Sequence, residues 1–228
     1  MSGARIPPGP GNAPDLDGLI GRLSVDLRPV RRLLPPPLQA ALWLAVPLVM
    51  AAGLLVVAHV DLAALAARML AEPDMWLANG GAVITAVLAT IAAFMLGRPD
   101  RGPGWAWLPV PAAIVWIGAS GLGCLRETLL PGTVILSLGE ASHCMMIIVA
   151  IAVPLSLMMG LMLFRTASPY PDLTATMAGL ACAAASAMLL ELIHPVDAAA
   201  SDLIMHALAV IIVILVNRTL GGKIFHRI

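Results

Sequence analysis

The 228 residues carry 13 cationic and 13 acidic side chains, only 11% of the chain, against 60% hydrophobic residues and a mean hydropathy of +0.95. That is too little polar surface to cover a water-soluble globule, and continuous apolar runs must satisfy their backbone as helices in lipid, so the composition predicts an all-α polytopic membrane protein. The zero net charge excludes nothing about partners, because in such a chain the distribution of charge is informative and its sum is not.

The first 37 residues hold five arginines and three aspartates, with no apolar core or cleavage site of a signal peptide. The first apolar run is therefore expected to act as its own insertion signal. Leu16, Leu19, Ile20, Leu23 and Leu27 recur at helical spacing, with Asp17, Arg22, Asp26 and Arg28 between them. This predicts an amphipathic helix over about 15–27. Pro29 ends or bends it, and the prolines at 35–37 stiffen the approach to the membrane. A helix so short is marginal alone in water and must lie on something. Arg28, Arg31 and Arg32 suffice to orient the next helix and touch anionic lipid. A leucine stripe flanked by both signs of charge is what a groove-bearing partner recognises. The candidate partner-binding residues are Leu16, Leu19, Ile20, Leu23, Asp26, Leu27, Arg28, Arg31 and Arg32.

Six apolar segments follow, at 38–60, 75–97, 105–124, 145–164, 173–193 and 203–217. Their short separators, "DLAALAARMLAEPD" among them, leave no room for another folded domain, so 38–217 reads as one six-transmembrane-helix bundle after a cytoplasmic arm, 1–37, and before a tail, 218–228. Trp43, Trp76, Trp105 and Trp107 lie toward segment ends, as interfacial anchors do. Prolines 47, 109, 111 and 154 are expected to kink or break their helices, and "GASGLG" at 118–123 to permit close helix contact. The methionines at 145, 146, 158, 159 and 162 suit adaptable packing better than copper, and Cys182, mid-segment, reads as a small hydrophobe. No charge falls near a segment centre, which disfavours transport.

With the N-terminus in the cytoplasm, eleven of thirteen cations lie inside, leaving Arg68 and Arg126 outside, and an even helix count returns the C-terminus to the cytoplasm. Cys124, His143 and Cys144 then fall at the outer face, with His59, Glu191, His194, Asp197, Asp202 and His206 at a similar depth. Thiolate with imidazole suits transient binding of a thiophilic divalent metal, with His143, Glu191, His194 and His206 as candidate further ligands; no cofactor is required. The thiol spacing matches no zinc motif, and an oxidising compartment allows a plain disulfide between Cys124 and Cys144. Both readings stand at this point.

"LIGRLSVDLRPVRRLLPPPLQAALWL" at 19–44, "GLGCL" at 121–125, the cysteine opening the fourth segment, "HPVDA" at 194–198 and His206 together resemble the integral-membrane anti-sigma factors of the negative regulator of sigma-F family, formerly a bacterial family of unknown function. The resemblance implies an inner-membrane protein, not an enzyme, that sequesters an extracytoplasmic-function sigma factor without touching nucleic acid itself. It also implies release under metal or oxidative stress, with Cys124 and Cys144 as signal-sensing residues. The competing classes are a membrane thiol oxidoreductase, for which a C-x-x-C pair is wanting, and a small metal transporter.

Overall fold

The structure is a computed structural model that describes residues 16–25, 34–71, 73–129, 138–166, 168–193 and 200–225, with backbone only at 68–71, 73–75, 122–129, 138–144, 193, 200–206 and 221–225. Within these residues the chain is all-helical: α1 Leu16–Val25, α2 Pro36–Val57, α3 Leu62–Ala71, α4 Pro73–Leu96, a 3-10 turn Pro103–Trp107, α5 Val110–Leu129, α6 Leu138–Leu163, α7 Pro171–Ile193 and α8 Ala200–Phe225. The described residues fall into two units, α1 in one and those from Leu34 onward in the other.

Among the described residues four stretches are long and apolar enough to cross a membrane: Pro36–Val57, Trp76–Leu96, Met145–Leu163 and Pro171–Leu192. α8 contributes a shorter apolar helix, Ala207–Leu220, and continues as helix to Phe225 through most of the expected tail.

Where the sequence reading had only a separator, α3 forms for a local reason. Asp61 caps it, its Oδ1 accepting from the Ala63 and Ala64 amides at 2.8 and 3.2 Å. Just before it, α2 ends in a Schellman closure: the Val60 amide donates to Leu55 O and the His59 amide to Val56 O. His59 takes the left-handed conformation, φ 50°, that this closure requires. The third expected segment also starts differently. Its first residues form the 3-10 turn, and Pro109 and Pro111 flank the start of α5 instead of breaking it, since a first helical turn has no intrahelical use for their missing N–H.

α7 is the central helix, packed on α4, α8, α6 and α2. Ala175, Ala178, Ala181, Ala183, Ala184 and Ala185 are buried along it, so the neighbouring backbones approach closely. In lipid, where apolar surface gains nothing by leaving the solvent, such close packing supplies much of the association energy. Two glycines mark the tightest approaches. A Cβ at Gly179 would lie 2.9 Å from Ile214 Cα on α8, and one at Gly81 2.9 Å from Trp116 Cα on α5. Gly118 and Gly121, where close contact was expected, face open space. Gly179→Ala is therefore expected to destabilise the purified protein by about 1–3 kcal/mol through overpacking. Gly118→Ala gains only helix propensity, up to ~1 kcal/mol. Melting temperatures in detergent check the opposite signs, and equal shifts would contradict the packing assignment.

Polar bonds pin the helices at named points. Trp43 is not an interfacial anchor: it is fully buried, and its Nε1 donates to Leu155 O on α6 at 3.3 Å, one residue past Pro154. Asn217 Nδ2 on α8 donates to Ser156 Oγ on α6 at 2.9 Å. At one end of the bundle, Ser168 Oγ donates to Leu96 O at 2.7 Å and lies 2.8 Å from Thr174 Oγ1, while Gly97 sits against Thr166. The α4–α5 and α6–α7 connections, with Arg98, Arg101 and Arg165, thus share that end.

Candidate functional site

α1 has the form the leucine spacing predicts. None of its residues is buried; Leu16, Leu19, Ile20 and Leu23 are 59%, 52%, 62% and 62% exposed. In the last turn of the helix, Ser24 Oγ donates back to Gly21 O at 2.9 Å. Asp26, Leu27, Arg28, Arg31 and Arg32 lie outside the described residues. The chain resumes at Leu34, whose carbonyl accepts from Gln39 Nε2 at 2.7 Å, closing the first turn of α2.

At the opposite end from the Arg98 connection, α6, α7 and α8 converge on a small buried cluster of Ile148, Leu190 and Ala209. Cys144 stands one turn before Ile148, Glu191 directly follows Leu190, and His206 is three residues before Ala209. The structure therefore brings together the helix ends that carry Cys144, Glu191 and His206. Glu191 is half-buried in the last turn of α7. The backbones of Cys124, near the end of α5, and of His143 and Cys144, in the first turns of α6, are placed; their side chains, like that of His206, and all of His194 and Asp197 lie outside the description. Among the described residues no group of three metal-ligating side chains occurs.

Cys182 is a free, fully buried thiol in the middle of α7. It lies nine residues, ~13 Å of helix, from Glu191, too far along α7 to join the helix ends that carry Cys144 and His206. As expected of a small hydrophobe, it belongs to the alanine-lined core.

The connection after α4 was not singled out by its sequence. Arg98 Nε donates to Asp100 Oδ1 at 3.2 Å, and Arg101 Nε lies 3.4 Å from Oδ2. The Arg98 bond holds the Asp100 carboxyl below its usual range. Beside this group Gly102, Gly104, Trp105, Trp107, Leu108 and Pro111 line an open groove of about 550 Å³. The signal was present in "GRPDRGPGWAWLPVP": two arginines around one aspartate, then tryptophan, glycine and proline alternating.

A family model described as negative regulator of sigma F matches residues 23–226. No curated protein and no solved structure matches the chain.

Proposed function

The chain belongs to the negative regulator of sigma F family, and from that premise we propose that it is a bacterial inner-membrane anti-sigma factor that holds an extracytoplasmic-function sigma factor on its N-terminal arm. The observation that carries this reading is the uncovered leucine face of α1. A stable protein rarely leaves four large apolar side chains in a row more than half exposed without a partner for them. Most of that face precedes residue 23, where the family match begins, so it is this chain's own pattern that supports the assignment.

In the proposed topology α2 and α4–α8 cross the membrane, six spans with both termini in the cytoplasm. The cation count favours this orientation, and the shared end of the Arg98, Arg101 and Arg165 connections is consistent with it. Cys124 and Cys144 then lie on the periplasmic side as the sensing pair, with His143, Glu191, His194 and His206 as candidate ligands if the signal is a metal. The protein acts by binding and release and catalyses nothing.

The direct test is co-purification. Full-length protein extracted from membranes should bring down one sigma factor, and the chain lacking residues 1–33 should not while still fractionating with membranes. Equal recovery by both would remove the arm from the mechanism.

A further inference from the structure

We propose that the groove between the 3-10 turn and the start of α5, with Arg98 and Arg101 beside it, is a seat for an anionic phospholipid. The inference rests on the membrane-spanning reading of α4.

The groove lies in the turn directly after an apolar helix that ends at Leu96, which puts it at headgroup depth. Its floor and walls, Leu108, Pro111 and the two tryptophan rings, are apolar, as the glycerol and upper acyl carbons of a lipid require. Trp107 is 74% exposed, a large ring that the protein does not cover. An indole there is wet at one edge and apolar at the other, the character of an interfacial residue.

Charge selects among lipids. Two guanidiniums face a single carboxylate, which leaves the turn one positive charge in excess. Both arginines reach Asp100 through Nε, and their remaining N–H groups have no partner among the described residues. A guanidinium with free N–H donors matches a phosphodiester oxygen pair. Asp100 then has a specific part: it ties both arginines to the turn that leads into the groove, and it competes with the lipid phosphate for them. A zwitterionic lipid offers the same phosphate but adds its own cation, which the arginines repel.

The test uses full-length protein reconstituted in vesicles of phosphatidylcholine containing a minor fraction of brominated lipid. Emission from Trp107 is isolated by subtracting the signal of Trp107→Phe. Brominated phosphatidylglycerol should quench it far more strongly than brominated phosphatidylcholine at the same fraction. Arg98→Gln plus Arg101→Gln should reduce that preference by roughly fivefold for each charge removed. Asp100→Asn, which frees both arginines, should raise it, and this second variant keeps the test open if the double variant does not fold. Equal quenching by the two lipids, or a preference unchanged in both variants, overturns the proposal. So does full displacement by soluble glycerol phosphate, which would assign the site to a free anion. Failure of the protein to partition into vesicles at all would instead count against the membrane-spanning reading.

Discussion

Leu19→Asp plus Leu23→Asp is expected to abolish capture of the sigma factor while leaving the protein in the membrane. Each leucine contributes about 1.5–3 kcal/mol when fully buried in a partner's groove, so losing both costs about 3–6 kcal/mol, or roughly two to four decades of affinity. Placing carboxylates in that groove adds a desolvation cost on top. The readout is transcription from promoters of the partner sigma factor, which should rise to the level of a strain without the regulator. Membrane fractionation and the melting temperature should not change, because α1 belongs to a different compact unit from α2 and α4–α8 and buries none of its own residues. A substitution in the opposite direction strengthens the test. Gly21 sits inside α1 with open space around its Cα, so Gly21→Ala meets no neighbour and only removes backbone freedom. Preforming the helix this way is worth about 0.5–1 kcal/mol, and binding should tighten by roughly twofold to fivefold. Unchanged capture by the aspartate variant, or weaker capture by the alanine variant, would sink the assignment of the apolar face.

Periodicity made α1 legible because four leucine-type residues on one stripe are a strong signal even in a short helix. Hydropathy likewise located the cores of α2 and α4–α8. It did not find their ends, since a helix continues past the hydrocarbon wherever its residues still favour it, as α8 does to Phe225. It also missed α3, whose alanines and leucines are interrupted by charge; the readable signal there was Asp61, a capping residue directly before "LAALAARMLA". Side-chain burial was harder to read than span position. Trp43 is at a segment end by sequence but faces α6, and no count along one helix reveals what the neighbour across it supplies. The glycines show the same limit. "GASGLG" is the denser motif, yet the close approaches are at Gly81 and Gly179, because contact depends on which face meets a partner. Of the four helix ends expected to share a layer, the Ile148, Leu190 and Ala209 cluster joins those of α6, α7 and α8. Its chemistry depends on side-chain geometry, which spacing does not encode.

Cys124→Ser plus Cys144→Ser is expected to leave sigma binding intact and reduce induction by metal or oxidant to the uninduced level. Release requires energy from the signal, since a ligand shifts two states only through its differential affinity for them. Taking the released fraction from 1% to 99% needs about 5.5 kcal/mol. Two thiolates holding one metal ion can supply this, because thiolate-rich sites reach about 10 kcal/mol or more near neutral pH. The bundle offers a physical connection for it. α6 carries Cys144 in its second turn and, eleven residues or ~16 Å further on, presents Leu155 O to the Trp43 indole on α2, the helix that the arm leads into. A shift of α6 about Pro154 is therefore felt at α2. Trp43→Phe, which deletes the N–H donor, should lower the fold-induction more than the basal repression. Cys182→Ala should leave induction in place, since that thiol is buried among α7 alanines away from the outer ends. The double serine variant also separates the two roles open to the outer cysteines. A fixed disulfide would reveal itself by a lower melting temperature and leakier repression in the variant, with induction retained. A sensor pair gives the reverse: full repression, an unchanged melting temperature, and no response to the signal.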